Sequence, residues 1–201
     1  MPTSEDAPST ELLQKILPSM LEKVAVSGWT EPNYLKTLEA CKIDHARAAL
    51  SFPDGHASIL QAYLLKSRET LKDDLAALDL DAMRIREKVT SGVNLWLTGL
   101  SEHHLASRKA LDWITARPLG PLPMTEFVWS IADAIWTGIG DTSTGFTYVS
   151  KRTTLSAVIG STLTVWRQND EAAWKAFLDR RIENVMAFEK FKAKFRFPLP
   201  A

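Results

Sequence analysis

Residues 130–171 read SIADAIWTGIGDTSTGFTYVSKRTTLSAVIGSTLTVWRQNDE, two largely apolar segments joined by a short stretch rich in glycine and threonine. In both segments, apolar residues recur every three or four positions, which is the period of an α-helix. The pattern predicts one helix over residues 125–139 and a second that ends near Gln168. Gly138, Gly140 and the polar run 141–144 break the first helix and begin the second. The first helix is so apolar that we expect it to be buried on most sides.

The same helical period extends outward over nearly the whole chain, and strand signals are almost absent. We predict about nine helices, three short ones at the N-terminal end and six in the remainder. This is an all-α fold with the plan of a TetR-type regulator. The predicted domains are a helix-turn-helix-like head over residues 9–55 and a helical body for ligand binding and dimerisation over residues 56–201.

Length and composition exclude several classes of protein. The chain has 201 residues, 24 basic and 24 acidic, so bulk charge argues against a strongly basic nucleic-acid binder. Cys41 is the only cysteine, which excludes a disulfide framework and a cysteine-rich metal site. The start lacks a secretory signal, and no apolar run reaches the ~20 residues of a membrane span. We therefore expect a cytoplasmic protein whose membrane contact is peripheral.

The predicted head has the wrong charge for DNA. Through His56, five basic residues oppose eight acidic ones, a net charge of −3. The candidate recognition helix, residues 44–50, offers only His45 and Arg47 to a DNA surface. Because phosphate repels an acidic surface, we expect no specific nucleic-acid binding. A helical cap packed on the body is favoured, and a TetR-type ligand-responsive transcription regulator stays the alternative.

A motif in the opening stretch resembles a known family. The motif is an Asp-x-x-Trp helix, a Gly-Asp-x-Ser-Thr-x-Phe turn, an aromatic pair and two basic residues. The matching positions are Asp133, Trp136, Gly140, Asp141, Ser143, Thr144, Phe146, Lys151 and Arg152. The motif is similar to that of the accessory protein of ubiquinone biosynthesis that is ninth in the coenzyme Q (COQ) series, a lipid-binding family with a TetR-like fold. Gly28-Trp29-Thr30 and the Phe-Pro-Asp-Gly run at 52–55 also look like this family.

The chain departs from the family pattern in two respects. The family's aromatic pair is usually Trp-Tyr, whereas this chain has Tyr148-Val149. Mitochondrial members carry a transit peptide and an extra amphipathic C-terminal helix, and the sequence shows neither. It therefore looks like a bacterial member, placed in the cytoplasm or peripherally on the inner face of the inner membrane.

The resemblance implies an accessory protein that is not an enzyme and needs no cofactor or metal. Such a protein binds isoprenoid quinone precursors and presents them to the membrane-associated di-iron demethoxyubiquinone hydroxylase. The chain has seven tryptophans, five of them between residues 96 and 166. The expected lipid-binding residues are Trp96, Leu97, Leu100, Trp113, Trp129, Ala132, Ile135 and Trp136. The competing interpretation of these tryptophans is a packed aromatic core.

The resemblance also implies a partner-binding patch for the hydroxylase. Its residues are Gly140, Asp141, Phe146, Tyr148, Lys151 and Arg152. Tyr148, Lys151 and Arg152 stand at i, i+3 and i+4, so they share one helix face, and we expect all three to be exposed. The competing interpretation takes residues 141–144 only as a cluster that caps the following helix.

The C-terminal segment suggests two further contacts. From Glu171 onward, seven basic residues oppose four acidic ones, a net charge of +3. The set Phe188, Phe191, Lys192 and Phe195 predicts contact with an anionic membrane surface, and docking of these phenylalanines on the body or a dimer partner is equally open. A stripe of Leu155, Ile159, Leu163 and Trp166, with Trp174 and Phe177 beyond it, predicts a homodimer built on the last two helices.

Overall fold

The computed structural model describes residues 8–116 and 122–194, and these form nine α-helices and no strand. The helices are α1 (Pro8–Ser27), α2 (Glu31–Ala40), α3 (His45–Ser51), α4 (His56–Ala76), α5 (Ile85–Ser101), α6 (His104–Thr115), α7 (Leu122–Gly138), α8 (Gly145–Trp166) and α9 (Glu171–Lys194). The prediction of an all-α fold is confirmed. The order of three short or clustered helices followed by six others is consistent with a TetR-like bundle.

The chain divides into two compact units. Among the described residues, the first unit takes 8–70 with 98–116 and 122–124, and the second takes 71–97 with 125–194. These bounds differ from a cut at residue 55, because a later segment of the chain packs with the N-terminal helices. The assignment of a head and a ligand-binding body stays a prediction.

The first unit is built around α1. Ile16, Met20 and Val24 lie four residues apart on one face of this helix, and all three are fully buried. Trp29 packs its ring at 5.6 Å from that of Tyr63 and donates its indole N–H to the carbonyl of Ala106 at 3.1 Å. These contacts join the connection between α1 and α2 to α4 and α6 within the unit. They also explain why residues distant in sequence belong to it.

The second unit contains two close helix crossings. A Cβ atom placed on Gly92 of α5 would lie 2.8 Å from Cγ2 of Ile135 on α7. A Cβ atom on Gly138 of α7 would lie 2.9 Å from Cδ1 of Leu75 on α4. Both glycines therefore let α7 approach its neighbours more closely than any other residue would allow. The buried residues of α7 lie in its middle, whereas residues at both of its ends are exposed, so the helix is less buried than expected.

Two helix boundaries differ from the predicted ones. Helix α7 begins at Leu122, three residues earlier than expected, because Pro123 in a first turn sacrifices no hydrogen bond. Helix α8 ends at Trp166, and Asn169 beyond it adopts a positive φ of 58°. Asparagine tolerates this left-handed conformation better than most residues, so the turn into α9 forms there.

The α8 residues on which the dimer prediction rests pack within the single chain. Leu155, Ile159, Leu163 and Trp166 of α8 are buried within the single chain, and so is Trp174 of α9. The stripe is therefore covered within the single chain and does not by itself require a second copy. The homodimer itself stays a prediction.

Candidate partner-binding site

The connection between α7 and α8 is shaped by a helix-ending motif at Gly140. The N–H of Gly140 donates a hydrogen bond to the carbonyl of Thr137 at 3.0 Å, and the N–H of Asp141 donates one to the carbonyl of Trp136 at 2.9 Å. This pair of bonds is the Schellman motif, which requires a left-handed residue at the position of Gly140. Gly140 has φ +85°, which glycine adopts without strain. The motif turns the chain so that Asp141 lies beside α8.

Asp141 is the acceptor at the centre of a charged cluster. Its side chain is only 5% exposed. Lys151 Nζ donates to Oδ1 at 2.5 Å, while Ser143 Oγ and Arg152 Nη1 donate to Oδ2 at 2.6 and 3.1 Å. Burial alone would raise the pKa of Asp141, but these hydrogen bonds outweigh it and hold the pKa well below its usual value.

Arg152 joins the cluster to α7. Its Nε donates to Asp133 Oδ1 at 2.6 Å, and its guanidinium carbon lies 3.6 Å from the ring centroid of Tyr148. The Tyr148 hydroxyl donates to the same Asp133 oxygen at 3.1 Å. Burial would lower the pKa of Arg152, but the bonds to Asp133 and Asp141 raise it. The guanidinium is therefore held as a permanent charge between two carboxylates.

Lys151 and Trp136 complete the arrangement. The Lys151 ammonium lies 4.9 Å from the ring centroid of Trp136, and the Trp136 indole N–H donates to the Lys151 carbonyl at 3.2 Å. Trp136 is half-buried and binds the first turns of α8 through its polar edge. Trp136 therefore makes a specific polar contact with α8, which neither core packing nor contact with a lipid tail requires.

The expectation that Tyr148, Lys151 and Arg152 are all exposed is wrong. Arg152 is 2% exposed, and the other two are half-buried. The three side chains share a region of α8 as predicted, but Asp133 and Asp141 draw it inward. The capping interpretation also differs from the structure, because the N-cap residue Thr144 makes no side-chain capping bond.

The most exposed side chains of this corner are uncharged. Phe146 is 88% exposed and Val149 is 49% exposed, three residues apart on the first turns of α8. A Cβ atom on Gly140 or Gly145 would meet nothing within 4 Å, so the backbone there is open. The sequence interpretation treated Val149 only as a lost aromatic and left Asp133 out of the predicted patch. Glu126 lies near the start of α7 and is exposed, whereas Asp133 stands among the apolar residues in the middle of the helix. A carboxylate in such surroundings needs a partner, and that was the available signal for Asp133.

The predicted lipid-binding residues are divided between the two units. Trp96, Leu97, Trp129, Ala132, Ile135 and Trp136 belong to the second unit, and Leu100 and Trp113 belong to the first. Within the second unit, buried Trp96 packs its ring 5.9 Å from that of Phe127. Ile135 packs on Gly92, as described above. The role of these residues in lipid binding stays a prediction.

A shallow cleft in the second unit has a different character. It measures about 380 Å³ and is lined by Arg84, Arg86, Glu87, Thr90, Ser91 and Asp179. Its lining is polar and charged and contains none of the residues predicted to bind lipid. Across the described ranges 8–116 and 122–194, no three His, Cys, Asp or Glu side chains are grouped so that they could hold a metal ion.

The predicted membrane contact lies partly outside the described residues. Helix α9 continues to Lys194, and Phe188 is exposed on it. The side chains of Phe191 and Lys192, and the whole of Phe195, are not among the described parts. Among the helices that are described, none has the length and apolarity needed to cross a bilayer.

Together the helices and the corner define a class: an all-α protein of TetR-like helix order whose α7–α8 corner is fixed by buried ion pairs. Residues 123–189, which include this corner, match the family model of COQ9. The chain is 26% identical over 193 residues to the ubiquinone biosynthesis protein COQ9, mitochondrial, of Rattus norvegicus, covering 90% of this chain and 61% of that protein. It is 25% identical over 205 residues to the protein of the same name from Bos taurus, covering 90% and 60%. The resemblance to the COQ9 family is thus confirmed, and the chain spans about 60% of the length of these relatives.

Proposed function

We propose that the protein is a lipid-binding accessory protein of ubiquinone biosynthesis. The observation that carries the proposal is the match of residues 123–189 to the COQ9 family model, because this region contains the whole charged cluster. The names of the two mammalian relatives support the pathway. The proposed ligand is an isoprenoid quinone precursor, and the proposed recipient is the di-iron demethoxyubiquinone hydroxylase.

The physical task of such a protein is transfer. An isoprenoid tail in water costs about 25 cal/mol for each Å² of apolar surface that it exposes. A wall of apolar side chains lowers this cost while the lipid leaves the bilayer. The predicted wall residues of the second unit are apolar and aromatic, which suits a tail that offers no hydrogen-bonding groups.

The proposal assigns no chemical step to the chain. Presentation requires that the quinone ring be delivered to the hydroxylase, which supplies the reaction. The protein therefore acts at the surface of the membrane that holds the hydroxylase, on the cytoplasmic face in a bacterium. Phe188 and the basic residues of the C-terminal segment are proposed to make a peripheral contact with anionic lipid.

Two measurements test the proposal. Mass spectrometry of lipids that copurify with the native protein should find an isoprenoid quinone or its precursor enriched over bulk phospholipid. Expression in cells that lack their own COQ9-family protein should restore ubiquinone and remove the accumulated unhydroxylated precursor, while an empty vector should do neither. Protein free of isoprenoid lipid that also fails to restore ubiquinone would refute the proposed function.

A further inference from the structure

The charged residues at the α7–α8 corner are paired with one another, and only Asp133 and Lys151 are partly exposed. Asp133, Asp141, Lys151 and Arg152, here called the charge cluster, satisfy each other at 2.5 to 3.1 Å. Asp141 and Arg152 are nearly inaccessible to a partner. A group that is buried and already paired contributes little new contact when a partner arrives.

The surface beside the charge cluster has the opposite character. From residue 142 to residue 150 the chain carries no charged side chain. Its exposed residues are Thr142, Thr144, Gly145, Phe146, Thr147 and Val149, here called the Phe146 surface. An aromatic ring that is 88% exposed costs solubility, and such residues are typical anchors of protein interfaces.

We propose that the charge cluster is a positioning device and that the partner is contacted by the Phe146 surface. This inference rests on the proposed function, in which the corner binds the hydroxylase. Arg152 acts through α8: it ties the first turns of that helix to Asp133 of α7 and so fixes the direction in which Phe146 projects. Asp141 fixes the other end of the same turn through Lys151.

The charge distribution identifies the kind of partner. An anionic bilayer is recognised by free cations next to apolar side chains. The two cations of this corner are instead neutralised by Asp133 and Asp141. A surface of one aromatic ring, one valine and several threonine hydroxyls fits a protein that offers an uncharged apolar groove. The open backbone at Gly140 and Gly145 lets that protein approach closely.

The first arm of the test separates contact from fold. Phe146→Ser should weaken binding of the full-length chain to purified hydroxylase by about 30-fold, the size of an interface hot spot, without lowering the melting temperature. The matched control is Leu50→Ser, since Leu50 of the first unit is 87% exposed and should be neutral. Binding by the native chain that Phe146→Ser leaves unchanged would overturn the inference while the proposed function stands. A native chain that does not bind the hydroxylase would overturn both.

The second arm tests positioning. Arg152→Lys keeps the charge but loses the planar fork that joins Asp133 to Asp141, and it should weaken hydroxylase binding about tenfold. In the Phe146→Ser background the same change should have no further effect, because Arg152 acts only through Phe146. A direct contact, or a loss of folded protein, would instead reduce binding equally in both backgrounds and refute the positioning role.

Two further outcomes would assign the Phe146 surface to another occupant. Native chain and the Phe146→Ser variant should bind vesicles of phosphatidylethanolamine and phosphatidylglycerol equally. Weaker vesicle binding by the variant would make the surface a membrane contact and overturn the inference. Conversion of a native dimer into a monomer by Phe146→Ser would make it an interface between copies, with the same consequence.

Discussion

Removing the Arg152 guanidinium should be among the most destabilising single changes in the second unit. Arg152→Met keeps much of the side-chain length but removes one hydrogen bond to Asp133, one to Asp141, and the stacking on Tyr148. Removing one partner of a buried ion pair typically costs about 3–5 kcal/mol. Asp141 keeps Lys151 as a partner at 2.5 Å, and Asp133 is partly exposed, so the lower end of this range applies. We therefore expect a loss of about 3 kcal/mol in the free energy of unfolding.

Thermal unfolding followed by circular dichroism measures this effect. For a chain of this size, 1 kcal/mol lowers the melting temperature by about 2–4 °C, so Arg152→Met should lower it by roughly 6–12 °C. Arg108→Met is the matched control, because Arg108 forms an exposed pair with Asp112 at 3.9 Å. Exposed pairs contribute about 0–1 kcal/mol, so the control should change the melting temperature only slightly. Equal melting temperatures for the two variants would show that the charge cluster does not hold the corner together.

The remaining predictions concern acid stability, two glycines and self-association. Because the pKa of Asp141 is lowered on folding, its carboxylate stabilises the folded state at pH values above 3.8, its pKa in the unfolded chain, and this stabilisation is lost as the pH falls below 3.8. The urea midpoints measured at pH 5 and pH 3 should therefore differ less in Asp141→Asn than in the native protein. Gly140→Ala meets no side chain but strains a residue at φ +85°, so calorimetry should show a loss of about 1 kcal/mol. Gly92→Ala should lower the free energy of unfolding by about 1–3 kcal/mol, because its Cβ atom would lie 2.8 Å from Ile135. Ile135→Ala should then cost less in the Gly92→Ala background than in the native protein, and equal costs in both backgrounds would exclude this contact as the cause. Light scattering at micromolar concentration should give a dimer mass, and a monomer mass would contradict the predicted homodimer.

Helix positions were the part of this fold that the sequence determined well. Local periodicity, glycine and proline are sufficient to count the helices and to locate α3, α7 and the end of α8 within three residues, because these signals act within one helix. The division into units was harder. The bond from the Trp29 indole to the Ala106 carbonyl joins residues 77 positions apart, and no local pattern indicates it.

The charge cluster shows that residue spacing predicts which side chains share a helix face but not whether that face is exposed. The i, i+4 spacing correctly places Tyr148 and Arg152 together, and the structure stacks them at 3.6 Å. The spacing does not say whether that face points to solvent or to another helix. Asp133 decides this, since it lies on α7 and accepts hydrogen bonds from both residues. The polar position was visible in the sequence, but its partner depended on how α7 and α8 pack.

The departure from the family's aromatic pair has a structural meaning at this corner. Tyr148 points toward the charge cluster, and its hydroxyl donates a hydrogen bond to Asp133. A tryptophan at this position could donate only through its indole N–H, and therefore with a different geometry. Val149 is the member of the pair that remains exposed, and it is aliphatic where the family usually has tyrosine. Among the described residues of this corner, Phe146 is consequently the one aromatic residue that is exposed. A partner that recognises an aromatic side chain here must therefore depend on Phe146, which is why a single serine substitution is a decisive probe of the surface.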